Sequence, residues 1–375
     1  MSPLDGVLVV SIEQAVAAPL CTARLSAAGA RVIKIERDSG DFARGYDTAA
    51  KGESSYFTWL NQGKESVCTD FKSEEGRELL TALLIQADVL VQNLSPGALE
   101  RSGFSLGQLH KINPRLIVCN ISGYGSTGQA SGKPAYDLLV QAESGLVSVS
   151  GDKGHPGRIG VSICDIGAGV TAHAAILEAL MKREKTGHGE EVNLSLFSVA
   201  SEWMMVPYIH AEYGSGAPEP AGLKHPSIAP YGAFECSDGK QILISIQNER
   251  EWERLCLNAL DSPQLFNNIN YTSNNDRVTN REQLDTEIND ITKNMASSEF
   301  QSRLDASGIA YGAINTADDL KHHPATELET YRNGNGDELL LPSHPVKAAS
   351  YNAASMPRQT PKIGQHTQKI KDEFL

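Results

Sequence analysis

The sequence predicts an α/β protein with a large, doubly wound parallel-sheet domain and a smaller α+β domain. The chain begins with a buried strand at 7–12, a small-residue helix at 17–28 and a second strand at 31–36. This β-α-β order is typical of a parallel sheet with helices on both faces. A Pro- and Gly-rich segment at 215–222 then separates this part of the chain from one with a different pattern, which predicts a domain boundary.

The first part continues with alternating strands and helices. Further strands are predicted at 66–70, 87–93, 116–122 and 192–196. A helix is predicted at 73–86, because Ser73 is a suitable N-cap and two acids follow in the first turn. The loop after the first strand contains neither G-x-G-x-x-G nor G-K-[ST], which argues against a nicotinamide dinucleotide or a nucleoside triphosphate as ligand.

In the second part, a Ser-Asp-Gly turn joins strands at 231–236 and 240–246 into a hairpin. Helices are predicted at 249–259 and 281–305, and a last helix at 364–374. We expect a Rossmann-like large domain at 1–215 and 330–375 and a small α+β domain at 222–325. Linkers are expected at about 197–222 and 320–345.

Composition limits the partners and the compartment. The 375 residues are enough for two hydrophobic cores, and the net charge of −13 repels nucleic acid, so an anionic ligand needs a local basic pocket. The six cysteines have no paired spacing, which is typical of reduced cysteines in the cytosol. No signal peptide is recognisable, and no apolar run reaches membrane-spanning length. We expect a cytoplasmic protein that binds neither nucleic acid nor a membrane.

The segment from Arg158 to Gly169 holds the main candidate residue, Asp165. The sequence predicts a short strand at 159–163, then Asp165, then glycines that open a helix at 170–182. The glycines would let the backbone approach a ligand, and the free N–H groups of a first helical turn favour negative charge. Asp165 could then be a nucleophile with oxyanion donors beside it, or simply an N-cap, which is the commoner role for such a residue.

Other local patterns are less specific. Asn93 ends a predicted strand at the sheet edge where α/β proteins bind ligands. The loop Gly123–Gly128 is either a phosphate cradle or a flexible connection. The histidines have no spacing typical of metal ligands, so we expect no metal site; those considered are His188, His225, His322 and His323.

A series of short motifs runs through nearly the whole chain in a fixed order. They are Pro3-Leu-Asp-Gly6, Val32-Ile-Lys-Ile-Glu-Arg37, Asn61-Gln-Gly-Lys64, Val91-Gln-Asn-Leu-Ser-Pro-Gly97, Gly123-Tyr-Gly-Ser-Thr-Gly128, Tyr136-Asp137, Lys185-Thr-Gly-His-Gly189, Leu341-Pro342 and Gly364-Gln-His-Thr367. With the Asp165 turn, they make the sequence similar to the class III CoA-transferase family, also named after carnitine dehydratase and the bile-acid-inducible proteins.

The resemblance implies roles for individual residues. Asp165 matches the family's catalytic aspartate. The residues expected to contact CoA are Val16, Ala17, Arg37, Thr69, Lys72, Asn93, Leu94, Ser95, Arg101 and Tyr136. Those expected in the acyl pocket are Gln14, Tyr136, His225 and Ser227. Without the resemblance, the basic residues among them would be taken as solvated surface charges, and for His225 the role of a structural loop histidine is equally plausible.

The implied activity is transfer of CoA from an acyl-CoA, with succinyl-CoA preferred, to a small carboxylic or dicarboxylic acid. Asp165 would form covalent anhydride and aspartyl-CoA thioester intermediates. CoA is then a substrate, no cofactor is permanently bound, and the family's interlocked homodimer is expected. The glycine-rich small-domain loop of formyl-CoA:oxalate transferases is missing at 224–231, which argues against formate and oxalate.

Two alternatives remain. Acyl-CoA racemases, epimerases or lyases of the same fold act on similar thioesters, and the racemases carry a histidine at the position of Tyr136. Because the pKa of a tyrosine lies far above neutrality, this difference favours transfer over racemisation. The second alternative is a non-catalytic acyl-CoA-binding protein, which would not require Asp165.

Overall fold

The computed structural model describes residues 2–347 and 359–375. Its strands are β1 (Leu8–Ile12), β2 (Arg31–Glu36), β3 (Glu65–Cys68), β4 (Val89–Gln92), β5 (Ile117–Ser122), β6 (Gly151–Asp152), β7 (His155–Pro156), β8 (Glu191–Ser195), β9 (Tyr231–Glu235), β10 (Gln241–Ser245), β11 (Tyr311–Ala313), β12 (Leu328–Arg332) and β13 (Glu338–Pro342).

The helices alternate with these strands in the first part and dominate the second. They are α1 (Ala17–Ala27), α2 (Ser55–Leu60), α3 (Glu74–Gln86), α4 (Ala98–Arg101), α5 (Leu106–Ile112), α6 (Asp137–Glu143), α7 (Leu146–Val149), α8 (Ile163–Thr186), α9 (Leu196–Trp203), α10 (Met205–Tyr213), α11 (Glu249–Arg254), α12 (Pro263–Phe266), α13 (Asn274–Thr279), α14 (Arg281–Thr292), α15 (Ser297–Ala306), α16 (Ala317–Leu320) and α17 (Thr367–Phe374).

A six-stranded sheet of order β3-β2-β1-β4-β5-β8 carries the large core, and all of its strand pairs are parallel. Val9 packs in the same core as Cys21 of α1 and Ala172 of α8, whereas the next residue, Val10, packs with Leu80 of α3 on the other face. Because successive strand residues point to opposite faces, apolar strands of this kind need helices on both sides. The predicted doubly wound sheet is confirmed. Its order reverses between β1 and β4, and ligands bind at such a switch point.

Contacts divide the chain into two compact units. The first comprises Met1–Leu146, Arg158–Val206 and Ala325–Leu375, and the second comprises Val147–Gly157 and Pro207–Pro324. Residues 348–358 of the expected large domain lie outside the described residues. The domain bounds expected from the sequence stay a prediction.

The second unit is built on a three-stranded antiparallel sheet of order β11-β10-β9, in which β9 and β10 form the predicted hairpin. Its core includes the buried aromatic residues Trp252, Tyr271 and Phe300. The helix predicted at 281–305 is two helices in the structure: α14 ends at Thr292, and α15 begins at Ser297. This unit therefore has the α+β organisation expected of it.

The start of α8 differs from the expectation. No strand forms at 159–163; instead the backbone N–H of Ile159 donates to Gln141 Oε1 at 2.9 Å, and the helix begins at Ile163. The glycines lie inside the helix rather than at its opening. A Cβ on Gly169 would lie 2.6 Å from the carbonyl oxygen of Ala17, and one on Gly167 would overlap the Trp203 ring. Gly167 and Gly169 therefore allow α8 to pack closely on α1 and α9, and not a ligand to approach.

Helix α8 is also longer than expected. It has 24 residues, and among the described residues it is the one helix with the length and composition to cross a membrane. The expectation that no apolar run reaches this length is wrong, because the helix was expected to span only 170–182. Core helices of globular proteins meet the same criterion, and Ala172, Ile176 and Ala179 are buried in the core shared with α1.

Candidate active site

Asp165 is the third residue of α8 and is partly buried. It is not the N-cap, because Ser162 precedes the helix and Asp137 performs the capping. Asp137 Oδ1 accepts from the backbone N–H of Cys164 at 2.8 Å and of Asp165 at 3.2 Å. The Asp165 carboxylate itself accepts no hydrogen bond from any residue that the structure describes. The N-cap alternative for Asp165 is therefore wrong, and its carboxylate is left for another role.

The surroundings of Asp165 favour its neutral form. Burial raises the pKa of its carboxyl to about 7, and the negative charge of Asp137 adds to the increase. A carboxylate desolvated in this way is close to half ionised at neutral pH. It is a stronger nucleophile than an ordinary, fully hydrated aspartate, since desolvation raises the free energy of the anion.

The first turn of α8 does not supply the oxyanion donors expected from the sequence. Asp137 occupies the N–H groups of Cys164 and Asp165, while those of Ile163 and Ile166 donate to the carbonyl oxygens of Val161 and Ser162. The expectation of free N–H groups beside Asp165 on its own helix is wrong. A partner 28 residues earlier in the chain, Asp137, takes two of them.

Helix α1 offers such donors instead. The backbone N–H groups of Val16 and Ala17 have no acceptor within residues 2–347 and 359–375, and Val16 is an N-cap without a side-chain hydrogen bond. Val16 packs with Leu20 and Leu60 in a small cluster that includes Ile166, the residue after Asp165. The free end of α1 and the Asp165 turn are thus neighbours. Both Val16 and Ala17 were expected from the family resemblance to contact CoA, and this contact stays a prediction.

The first loop links three other predicted residues. The side chain of Asn93 accepts from the N–H of Gln14 at 3.0 Å and donates to its carbonyl oxygen at 2.8 Å. Arg37 Nη2 donates to Gln14 Oε1 at 3.3 Å. Gln14, Arg37 and Asn93 therefore meet at the carboxyl ends of adjacent strands, which is the edge where the sequence predicted ligand binding.

A basic pocket of about 350 Å³ lies near the ends of β3 and β4. Its lining residues are Lys72, Arg77, Ser95, Ala98, Arg101 and Ser102. No salt bridge within the described part of the chain involves any of its three cations, which leaves the pocket positively charged. Lys72, Ser95 and Arg101 were predicted from the resemblance. Arg77 was missed, because a basic residue on an amphipathic helix has the pattern of an ordinary surface charge.

Leu94 and Thr69 flank this pocket without lining it. The N–H of Leu94 donates to Gln92 Oε1 at 2.7 Å, and its side chain packs on the core of the sheet. The N–H of Thr69 donates to the carbonyl oxygen of Glu36 at 2.9 Å, which extends the pairing of β2 and β3. Their expected contacts with CoA stay a prediction.

Two tyrosines lie near the Asp165 turn. Tyr46 is in the electric field of Asp165, and Tyr136 directly precedes Asp137. Tyr136 precedes α6 and is 65% exposed, and Tyr46 is 45% exposed. Burial raises the pKa of Tyr46 to about 12, and the charges of Asp41, Asp165 and Tyr136 contribute to the increase. Tyr46 thus keeps its proton at neutral pH and is a hydrogen-bond donor near the candidate nucleophile. Nothing in its local sequence distinguishes it, so sequence reasoning missed it.

His225 and Ser227 belong to the second unit. The His225 ring stacks on Tyr231 with 5.2 Å between ring centroids, and its Nδ1 accepts from the N–H of Ser227 at 3.1 Å. These contacts give His225 a structural role within its own loop. Its expected place in the acyl pocket stays a prediction.

No metal centre is evident in the described part of the chain. There, no group of three or more His, Cys, Asp or Glu side chains is arranged to hold a metal ion. The unpaired groups near Asp165 are backbone N–H donors and tyrosine hydroxyls, and the unpaired charges are those of the basic pocket. This arrangement suits a carboxylate nucleophile and an anionic ligand.

Comparisons with known proteins identify the family. A model described as CoA-transferase family III matches residues 4–367. Acetyl-CoA:oxalate CoA-transferase of Acetobacter aceti is 31% identical over 99% of this chain and 96% of its own, and succinyl-CoA:glutarate CoA-transferase of Homo sapiens is 33% identical over 100% and 86%. The crystal structure of a CAIB/BAIF family protein from Brucella suis is 30% identical, with a TM-score of 0.86 over 100% of both chains. The chain therefore belongs to CoA-transferase family III and is an enzyme of the CoA-transferase type.

Proposed function

We propose that this enzyme moves CoA from an acyl-CoA, preferably succinyl-CoA, to a small carboxylic or dicarboxylic acid, with Asp165 as the covalent carrier. The observation that carries the proposal is the Asp165 carboxylate itself, which is partly buried and has no hydrogen-bond donor among the described residues. Its turn also lies beside the start of α1, since the next residue, Ile166, packs with Val16. A structural carboxylate would have found donors, because an unpaired buried charge is costly.

The first half of the reaction exchanges the acyl group for CoA on the enzyme. The Asp165 carboxylate attacks the thioester carbonyl, and CoA leaves as a thiolate with formation of an acyl-aspartyl anhydride. The thiolate then attacks the aspartyl carbonyl, which gives an aspartyl-CoA thioester and releases the first acid as its carboxylate. Each step exchanges one activated acyl bond for another, so the sequence needs no nucleoside triphosphate.

The second half repeats these steps with the incoming acid. Its carboxylate attacks the aspartyl-CoA carbonyl and displaces the thiolate, which forms a second anhydride. The thiolate attacks the acyl carbonyl of this anhydride, so that the new acyl-CoA leaves and Asp165 returns as a carboxylate. Each attack creates an oxyanion. The N–H groups of Val16 and Ala17 and the hydroxyl of Tyr46 are the donors suited to stabilise it.

The basic pocket would bind the phosphate groups of CoA. Its cations, Lys72, Arg77 and Arg101, lack carboxylate partners in the described residues, and CoA carries several phosphate charges. This pocket lies at the ends of β3 and β4, and the first loop with Gln14 and Asn93 lies at the ends of β1 and β4. Binding along this sheet edge would bring the thioester toward α1.

The alternatives of an acyl-CoA racemase and a non-catalytic binder lose support, because the relatives are named CoA-transferases. Their names include glutarate, mesaconate, malate and oxalate as acids. The argument against oxalate rested on one loop, so oxalate belongs in the substrate panel. The acids would be identified by incubation of succinyl-CoA with single carboxylates and detection of new thioesters by mass spectrometry.

We also propose the interlocked homodimer that the family resemblance implies, and the cytoplasmic location expected from the unpaired spacing of the cysteines. Support for a dimer comes from α10, which has no buried residue and exposes Val206, Tyr208 and Tyr213. Light scattering after size-exclusion chromatography should give twice the mass of the chain. A monomeric mass at micromolar concentration would contradict the dimer.

The covalent role of Asp165 can be tested directly. Hydroxylamine added during turnover should convert an aspartyl anhydride or thioester to an aspartyl hydroxamate on the peptide that contains Asp165. Asp165→Ala should abolish transfer and labelling. The matched control is Glu178→Ala, which removes an exposed carboxylate from the same helix and should keep both. Transfer activity retained in Asp165→Ala would refute the covalent mechanism.

A further inference from the structure

A group of buried charges near the first loop has no part in the chemistry above. The side chains of Glu13, Lys34, Asp41 and Lys64 are fully buried. Lys64 Nζ lies 2.7 Å from Glu13 Oε1, and Lys34 Nζ lies 3.5 Å from that oxygen and 2.8 Å from Asp41 Oδ2. Two carboxylates and two ammonium groups thus form a neutral network.

Stability alone is a weak explanation for such a network. Burial of charges is costly, and apolar residues of similar size often replace a buried ion pair without loss of stability. Here the remaining hydrogen-bonding capacity is also used: Glu13 Oε2 accepts from Thr22 at 2.7 Å, and Lys64 Nζ donates to the Pro19 carbonyl at 3.0 Å. Although burial raises the pKa of Glu13, the charges of Lys64 and Lys34 hold it below its ordinary value. Burial lowers the pKa of Lys64 to about 8, so Glu13 and Lys64 both carry charge at neutral pH.

The network ends in a carboxylate oxygen that holds two separate pieces of backbone. Asp41 Oδ1 accepts from the N–H of Ala15 at 3.0 Å and from the N–H of Ala43 at 2.9 Å. Ala15 has a φ of +66°, a left-handed conformation that costs a residue other than glycine about 1 kcal/mol or more. Ala15 lies between Gln14 and Val16, and Ala43 lies in the 3-10 turn that precedes Tyr46.

We infer that Asp41, held in place by Lys34, is a positioning residue of the active site. It fixes the first loop, and with it the free N–H groups at the start of α1, relative to the turn that presents Tyr46. Asp41 does not touch the substrate; it sets the distance between two groups suited to face the reacting carbonyl. The inference rests on the proposed roles of α1 and Tyr46 beside Asp165.

The test compares Asp41→Ala with Asp88→Ala, because Asp88 makes the same kinds of contact in another part of the fold. Asp88 precedes β4 at the amino edge of the sheet, where its Oδ2 accepts from the N–H of Leu8 at 2.8 Å and its Oδ1 lies 2.9 Å from the buried Arg183. Asp88→Ala therefore removes a backbone acceptor and the partner of a buried cation, as Asp41→Ala does, but far from the loop. Asp41→Asn keeps an oxygen for both N–H groups.

Three quantities would be measured for each variant: the melting temperature, the Kd for CoA, and kcat well below the melting temperature. We expect Asp41→Ala and Asp88→Ala to melt at similarly reduced temperatures. In addition, kcat should fall about 100-fold in Asp41→Ala alone, the loss that a displacement of about 1 Å produces in an active site. Asp41→Asn should have a kcat about three- to tenfold below the wild type, because its amide keeps an oxygen for both N–H groups but loses the ion pair with Lys34.

Equal kcat values for folded Asp41→Ala and Asp88→Ala would overturn the inference, since the network would then be structural only. If Asp41→Ala does not fold, the kcat of Asp41→Asn is compared with that of Asp88→Asn. A kcat at least about threefold lower for Asp41→Asn supports the positioning role, and equal values overturn the inference. The proposed mechanism is tested by a different variant: CoA transfer by Asp165→Ala would refute it, whatever the Asp41 variants show. Equal kcat values for the Asp41 and Asp88 variants would refute only the positioning role of Asp41.

Discussion

At the scale of single residues, Asp137 and Asp165 have opposite surroundings although they are neighbours. Asp137 accepts from two backbone N–H groups of α8 and from Gln141 Nε2 at 2.7 Å. Asp165 accepts from none of the described residues, and burial, with the Asp137 charge, raises its pKa to about 7. The first carboxylate stabilises the helix start. The second is held there at a cost in free energy, which is typical of a catalytic group.

This cost predicts that Asp165→Asn stabilises the fold above neutral pH. The folded wild type binds the Asp165 proton more tightly than the unfolded chain, so its stability falls as pH rises from about 4 to about 7. The amide does not titrate. The variant should gain about 1–2 kcal/mol in free energy of unfolding at pH 8 and nothing below about pH 4. The gain at pH 8 is smaller than the full pKa shift would give, because the carboxyl is partly exposed to solvent.

Urea unfolding at pH 8 and at the lowest pH where both proteins fold would measure this difference. Glu178→Gln, on the exposed face of α8, is the control and should not change stability at either pH. A loss of stability at pH 8 in Asp165→Asn would mean that the carboxylate is stabilised by its surroundings, contrary to its raised pKa.

At the scale of elements, the site depends on the close packing of α8 on α1. Gly169 approaches the Ala17 carbonyl so closely that a methyl group would lie 2.6 Å from it. The same contact aligns the Asp165 turn with the free end of α1, since Ile166 packs with Val16. The spacing of the two helices therefore sets the distance from the proposed nucleophile to its proposed oxyanion donors.

Gly169→Ala should push the helices apart, because the obstacle is backbone and cannot rotate away. We expect a loss of about 1–3 kcal/mol in free energy of unfolding and a lower kcat in the protein that remains folded. Gly107→Ala in α5 is the matched control: nothing lies within 4 Å of its added methyl group, so it should be neutral or stabilising by up to about 1 kcal/mol. Chemical unfolding and kcat would check both variants, and equal effects would refute the packing argument.

At the scale of the whole molecule, an acidic protein must bind an anion. The net charge of −13 repels CoA at long range, while the three cations of the basic pocket attract it locally. To bind CoA as proposed, the pocket must attract the phosphate groups more strongly than the rest of the surface repels them. Among its cations, Arg77 is the one that neither the sequence nor the family resemblance indicated.

Arg77→Ala should raise the Kd for CoA about tenfold and leave kcat at saturating CoA unchanged, because the residue lies at the phosphate end of the proposed site. Its binding should also depend less on salt concentration than that of the wild type. Calorimetric titration at two salt concentrations would measure this. Lys111→Ala, an exposed lysine on α5, is the control. An unchanged Kd in Arg77→Ala would exclude the pocket as the phosphate site.

The sequence by itself determined the fold class and the family. Apolar strands such as the one at 7–12, together with the β-α-β order, require a sheet covered by helices on both faces. Short motifs in a fixed order, together with the Asp165 turn, indicate the family. These signals are local or depend only on order along the chain, so they can be recognised without coordinates.

The tertiary structure alone decided the local surroundings of Asp165. The glycines of α8 could not be assigned from the sequence, because the groups they approach, Ala17 and Trp203, are distant along the chain. For the same reason, Asp165 could not be told from an N-cap until Asp137 was seen to take the N–H groups of the turn. Hydrogen-bond satisfaction and burial are properties of the packed state, and one residue's neighbours in the sequence do not specify them.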